Sequence, residues 1–433
     1  MPRPPHPTAS RAASLPLRSA SALLALALWG IPLAVHAQGS AAPAAAGASA
    51  LTLRQAFERA WSLQPEGAAA AARRDAAAAR KAAAQRWTAD APSLEASART
   101  DRLTRNAGAR EYEAGVALPL WLPGERSRSQ GVADAELATV DSRVAAAQWR
   151  VAGQVREAWW TLQLARLDAD LAEARRASAA ALAADVGRRA AAGELSRADQ
   201  HQADAAAAAA QAELSLAQAT IAQAQAALQG WGATPAAGEP AAGERAPDLP
   251  ANGETAPSHP ALAELSDRVK LAQQQRGLAA VQRRSNPELT LLTTRERGGA
   301  GERYGQTVSL GLRLPLGQSS ESGARAASAQ ADLIEAEQLL ALEQQRVAAD
   351  IAAQATRLTA ARAAQDATAR RAALARDTRA FYDKSFRLGE TDLPTRLRVE
   401  LESFEAERQN ARARIAVDQA ISSLRQALGL LPE

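Results

Sequence analysis

The chain of 433 residues is 47% hydrophobic but only 3% aromatic, rich in alanine and without a single cysteine. So few large side chains cannot fill a thick globular core, whereas alanine favours helices and lets them pack closely; the missing cysteines exclude disulfides, thiolate metal centres, cysteine catalysis and a lipidated N-terminal cysteine. The formal charge is +4, but Arg3, Arg11 and Arg18 lie in a leader-like segment, and without them the balance falls to +1, which removes the electrostatic footprint of a nucleic-acid binder.

The first 18 residues are basic and free of acid, residues 20–35 form an apolar run broken by Gly30 and Pro32, and Val35-His36-Ala37 supplies small residues for cleavage. Residues 1–37 therefore read as a secretory signal peptide, the apolar run being short for a membrane anchor. Residues 38–50 read as a flexible N-terminus. No later segment reaches eighteen consecutive apolar residues, so any membrane crossing must use β-strands.

Beyond the leader the chain repeats itself. Pro65 and Pro260, and Pro92 and Pro287, stand 195 residues apart; Leu118-Pro119-Leu120 and Leu314-Pro315-Leu316 are separated by 196, as are Gly193-Glu194 and Gly389-Glu390. Residues 51–232 form the first copy, 233–257 a linker rich in Ala, Gly, Pro and Glu, and 258–433 the second copy. Each copy opens with a helical stretch, residues 66–86 or 261–284, that ends before a proline. The hydrophobic period then switches to two. Leu94, Ala96 and Ala98 alternate with polar residues, as do Tyr112, Ala114, Val116 and Leu118 after a polar loop at 103–110; in the second copy Leu289 and Leu291 precede the loop 296–303, and Tyr304, Val308, Leu310, Leu312 and Leu314 follow it. Each copy is thus expected to hold one β-hairpin with strands of bilayer-crossing length.

Uninterrupted helical stretches follow at residues 127–192 and 323–388, each about 99 Å long at 1.5 Å per residue. They end at Gly193-Glu194 and Gly389-Glu390, where returning helices begin with Ser196 and Asp392 as N-caps. Small and apolar positions such as Leu164, Leu167 and Leu171 suit antiparallel coiled-coil seams. Four strands cannot close a barrel or leave their edges bare in lipid. Copies must therefore associate; three chains would give twelve strands, and two chains with eight strands also meet the minimum.

The segments Leu51-Thr52-Leu53-Arg54-Gln55-Ala56, Gln64-Pro65, Leu314-Pro315-Leu316-Gly317, Phe386-Arg387-Leu388-Gly389-Glu390-Thr391-Asp392-Leu393 and Ala427-Leu428-Gly429 resemble the TolC-like outer membrane factors over nearly the whole chain after the leader. The resemblance implies a mainly α fold with a membrane β-barrel: a trimeric 12-stranded barrel on a long antiparallel coiled-coil α-barrel. It implies passive conduction without catalysis or cofactor, in partnership with a periplasmic adaptor (membrane fusion) protein and an inner-membrane efflux pump of the resistance-nodulation-division type. The compact form looks most like the heavy-metal or cation efflux branch. The adaptor would dock on the two turns, at Arg189, Gly193, Glu194, Leu195 and Ser196, and at Arg387, Leu388, Gly389, Glu390, Asp392 and Leu393. The candidate periplasmic gate is Thr395, Arg398, Glu400 and Glu402, where some cation-selective relatives carry acidic rings; this departure argues against an aspartate ring.

Other residues read more plainly. His201 and His259 lie far apart and lack partner spacing, so both are expected to be solvated rather than metal ligands. Trp159 and Trp160 are expected to seat the long helix against neighbours, and Trp121 is either a membrane-interface anchor or a loop-packing residue. The rival architecture is a periplasmic coiled-coil adaptor or structural protein without a pore, which would carry one coiled coil flanked by small β domains.

Overall fold

The computed structural model describes residues 51–233, 243–248, 259–317 and 320–433. The expected signal peptide and the 38–50 segment lie outside these residues, as does most of the 233–257 linker.

The helix α1 (Leu53–Ser62) starts at a reciprocal capping box between Thr52 and Gln55, and α2 (Pro65–Ala84) follows with Pro65 in its first turn. Strands β1 (Ser93–Thr100) and β2 (Arg110–Pro119) form a hairpin that leads into α3 (Glu125–Ala191), a helix of 67 residues, and its return α4 (Arg197–Gln229). The same order recurs in α5 (Pro260–Val281), β3 (Glu288–Arg297), β4 (Gly305–Arg313), α6 (Ser320–Arg387), of 68 residues, and α7 (Leu393–Ala427). The long helices each extend about 100 Å. Among the described residues, no helix is long and apolar enough to cross a membrane.

The two hairpins join into one antiparallel sheet in the order β1-β2-β3-β4. Its register gathers the alternating residues onto two chemically distinct faces. Leu94 pairs with Val116, Val116 with Leu291 and Leu291 with Leu310, so one face is an apolar band that also carries Ala96, Ala114, Leu289, Val308 and Leu312. Most of this band is open: Leu94 is 79% exposed and Leu310 73%. The other face carries Glu95, Arg99, Glu111, Glu113, Thr294, Glu296, Thr307 and Arg313.

A buried carboxylate ties the sheet to the helices. Glu125, 3% exposed, opens α3; it accepts hydrogen bonds from the Leu122 backbone N–H at 3.0 Å, from Gln282 Nε2 at 2.7 Å and from Asn286 Nδ2 at 2.8 Å. The exit of the first hairpin is thereby fixed to the approach of the second. Trp121 donates its indole N–H to the Arg86 carbonyl at 3.1 Å, which makes it a loop-packing residue.

The largest core surrounds Val155, Trp159, Trp160, Leu162 and Leu228, where α1 and α4 cover α3. Both tryptophans seat the long helix, as expected. The seam itself differs from expectation: Leu164 is exposed and Leu167 and Leu171 only half-buried, while Leu162, Ala165, Ala169 and Ala172 are buried. Alanine wins these positions because its small side chain permits the closest approach of backbones, leaving the bulkier leucines to flank the contact.

His259 corrects a second expectation. It is only 1% exposed, stacks edge-on against Trp149 at 4.9 Å between ring centroids, and among the described residues has no hydrogen-bond partner on either ring nitrogen. Burial lowers its pKa below the usual 6.5, against the opposing pull of Glu343 and Asp350. His201, by contrast, is exposed.

Candidate functional site

The two turns far from the sheet are built alike. At the end of α3, Gly193 adopts φ +82°, its N–H bonds the Ala190 carbonyl at 3.0 Å, and the Glu194 N–H reaches back to Arg189 O at 2.9 Å. At the end of α6, Gly389 adopts φ +80°, with Gly389 N–H to Phe386 O at 3.1 Å and Glu390 N–H to Ser385 O at 3.0 Å. These are Schellman endings, which satisfy the last carbonyls through a left-handed residue. Among the described residues, no atom lies within 4 Å of where a β-carbon would stand at either glycine, so backbone conformation rather than space selects glycine here.

The returning helices are capped by the residues the sequence nominated. Ser196 Oγ accepts from Asp199 N at 3.1 Å while Asp199 bonds the Ser196 N–H at 3.0 Å. Asp392 Oδ1 accepts from Thr395 N at 3.1 Å, and its hydrogen bonds to Thr395 hold its carboxyl below the usual carboxylate value.

A common apolar core of Leu182, Val186, Ala203, Phe386 and Leu393 joins the two turns. Phe386 is sandwiched by cations: Arg189 lies 5.2 Å and Arg396 4.9 Å from its ring centroid. Arg189 also pairs with Glu194 at 3.1 Å, and Arg396 with Asp383 at 2.8 Å. Of the nominated docking residues, Leu393 is buried, Arg189 and Leu195 are half-buried, and Gly193, Glu194, Ser196, Arg387, Leu388, Gly389, Glu390 and Asp392 are exposed. Leu388 is a bare apolar side chain, 65% exposed, in the middle of this polar surface.

The four gate candidates separate. Thr395 sits half-buried in the first turn of α7, and Arg398 pairs with Glu402 at 2.9 Å on an exposed face. Glu400 instead points between helices, hydrogen-bonded to Ser178 of α3 and 3.6 Å from Arg379 of α6. It borders a groove of about 420 Å³ lined also by Arg175, Leu397 and Phe404. Sequence reasoning passed over Phe386, Asp383 and Arg396; the signal for them was an aromatic one turn before a helix-ending glycine, with a basic residue in the next helix. The surface offers charge, hydrogen-bonding groups and one bare leucine. Among the described residues, no cluster of three or more acidic or imidazole side chains is arranged to hold a metal.

Neither a protein-family model nor a curated protein sequence matches the chain. Solved structures do. The outer membrane protein VceC from Vibrio cholerae superposes with a TM-score of 0.72 at 18% identity, over 88% of this chain and 97% of that one. The chain has the fold of that outer membrane protein. CusC, whose structures were described in connection with transmembrane channel formation, gives 0.72 at 17% identity over 88% and 92% of the two chains. The CmeC outer membrane channel of Campylobacter jejuni gives 0.70 at 13% identity over 93% of each. This fold agrees with the helical architecture and four-stranded sheet that the sequence resemblance implied.

Proposed function

We propose that this chain is the outer membrane channel-tunnel of a tripartite efflux system, passively conducting metal cations or small toxic molecules from an inner-membrane pump and a periplasmic adaptor to the exterior. The observation that carries the reading is the sheet: four strands, one apolar face, one polar face, and unpaired edges at β1 and β4. In lipid such edges are untenable unless copies of the chain complete them. Three copies supply twelve strands with the apolar band outward and the charged face toward a lumen. Tyr112 and Tyr304 stand near the loop end of the sheet, and exposed Trp87 at the helix end, as expected for aromatic residues at the two membrane surfaces.

The polar face holds Glu95, Glu111, Glu113, Glu288 and Glu296 against Arg99 and Arg313. An acidic excess on a lumen wall favours cations, which supports the cation cargo. The left-handed glycines support a tandem duplication: Gly108 and Gly301, Gly124 and Gly317, Gly193 and Gly389, and Gly232 and Gly429 lie 193 to 197 residues apart. Both coiled hairpins spring from one sheet, whereas an adaptor would carry a single one. On this reading residues 1–37 are a cleaved export signal, the sheet lies in the outer membrane, and the helices extend through the periplasm. The turns at Gly193 and Gly389, with exposed Leu388 between flanking charges, dock the adaptor of a resistance-nodulation-division pump, and Arg398 with Glu402 belongs to the gate.

Reconstitution in planar bilayers tests the channel: discrete conductance steps, larger for potassium than for chloride, are expected. Failure of the purified protein to conduct under any gating condition would overturn it. Docking is tested by Gly193→Asp and Gly389→Asp, which should abolish export in cells while the extracted particle keeps its mass; normal export by both would remove the assignment.

A further inference from the structure

At the loop end of the sheet the apolar face ends in arginines. The register places Arg110 opposite Arg297 and Tyr112 opposite Arg295, in line with Ala114, Val116 and Leu118 on one strand and with Leu289, Leu291 and Thr293 on the next. Arg295 and Arg297 lie 4.8 Å and 5.1 Å from the Tyr304 ring centroid, and the Tyr112 and Tyr304 rings are 6.4 Å apart. The cluster therefore comprises three cations around two phenol rings.

The charges on the two faces of the sheet are segregated. All five strand carboxylates, Glu95, Glu111, Glu113, Glu288 and Glu296, occupy the opposite face, where Arg99 pairs with Glu111 at 2.9 Å and Arg313 with Glu288 at 3.6 Å. Among the described residues, no carboxylate lies within ion-pair distance of Arg110, Arg295 or Arg297; Arg297 donates to the Gly108 carbonyl at 3.0 Å. An apolar band costs nothing in lipid, but three guanidinium groups at its edge without a direct ion pair among the described residues call for an anion at the same depth. Guanidinium forks match phosphate oxygens, and the phenol rings suit the interface between acyl chains and head groups.

We infer that Arg110, Arg295 and Arg297, with Tyr112 and Tyr304, form a binding site on the outer wall of the barrel for a phosphorylated glycolipid of the external leaflet. The assignment rests on the channel reading above, which puts the loops outside because the long helices leave from the opposite end of the sheet. The phosphates engage the arginines, and the acyl chains lie along Val116, Leu291 and Leu310. Each chain carries one such site, so a closed assembly is ringed by them.

The test uses the full-length mature protein extracted from membranes, with native mass spectrometry to count bound lipid after titration with bis-phosphorylated lipid A. The wild type is expected to retain this lipid, and a variant combining Arg110→Gln, Arg295→Gln and Arg297→Gln to bind on the order of a hundredfold more weakly. Lipid A stripped of both phosphates should bind the two proteins alike. Equal retention of bis-phosphorylated lipid by wild type and variant would overturn the site. So would wild-type binding indifferent to the phosphates, or its displacement by inorganic phosphate at low millimolar concentration, which would make it a general anion site. Oligomer mass and bilayer conductance of the same samples keep the two readings apart. A conducting oligomer without selective lipid retention removes only the lipid site, whereas a non-conducting monomer removes the channel and this site together.

Discussion

Two regions of the same helices are held by opposite means. Where α3 passes the end of α7, Arg156 grips Glu244 with two hydrogen bonds, at 2.7 and 3.1 Å, and Arg425 approaches the same carboxylate at 3.2 Å; the side chains of Arg156 and Glu244 are 4% and 2% exposed. Ser422 also bonds Glu244, Arg156 reaches the Leu430 carbonyl at 3.0 Å, and Arg425 meets Glu433 at 2.7 Å. At the turns, by contrast, Arg398 with Glu402 is open to water, and Arg189, itself half-buried, pairs with the exposed Glu194. Buried pairs lose much when one partner is removed, whereas exposed pairs contribute little. The difference teaches where the chain is fastened most firmly: the knot around Glu244 joins the two halves, whereas the turns rest on a small core and water-exposed pairs.

Breaking the knot should have the largest effect. Arg156→Ala leaves Glu244 buried beside a single imperfectly aligned arginine, and about 3–5 kcal/mol of stability should be lost. Equilibrium unfolding of the extracted particle measures it; a loss comparable to that from an exposed pair would erase the contrast. Phe386→Ala comes next. About 3 kcal/mol is expected, confined to faster hydrogen exchange around residues 182–203 and 383–397, with protection near Trp159 and Trp160 unchanged.

Gly193→Ala tests the turn backbone, since a β-carbon at φ +82° costs roughly 1 kcal/mol. Arg398→Ala, which removes an exposed pair, should change stability by under about 0.5 kcal/mol.

Acidification sharpens the same contrast. His259 has a depressed pKa because burial disfavours the imidazolium, so its contribution is present above the ordinary imidazole pKa and is lost as pH falls through that value toward the folded one. Asp392 is also depressed, through hydrogen bonds to Thr395, so capping of α7 persists to lower pH and fails only as the folded carboxylate pKa is crossed. Stability measured between about pH 8 and 5 should thus fall in the wild type and less in His259→Phe, while hydrogen exchange at the start of α7 stays unchanged over that range.

What the sequence made legible was local. Proline before a strand, alternation in the hairpins, glycine after a long helix and Ser196 or Asp392 before the next are encoded within a few residues, and the structure follows them. Element boundaries shifted by a few positions: β3 continues to Arg297, into the expected loop, and β4 starts at Gly305, one residue after Tyr304. After α4, Gly230 caps the helix in a right-handed conformation, and Gly232 is the left-handed residue that matches Gly429.

Interactions across long separations were invisible. Glu244 lay in what read as a featureless linker, yet it bonds residues 88 positions before and 178 after it. Glu125 was one acid among many until Asn286 and Gln282 converged on it. His259 looked solvated because nothing nearby in sequence announced that Trp149 and the end of α7 would cover it. At the turns, the exposed residues were nominated from their pattern, but the Phe386 sandwich that braces them needed arginines from two different hairpins.

The central claim is that a sheet open at both edges is completed by copies of the same chain. The most direct measurement is the protein mass of the mature, detergent-extracted particle by light scattering. Three chains in one particle, recovered from the outer membrane fraction, is the predicted result. A monodisperse monomer would contradict the account, because four strands then have no means of closing a barrel.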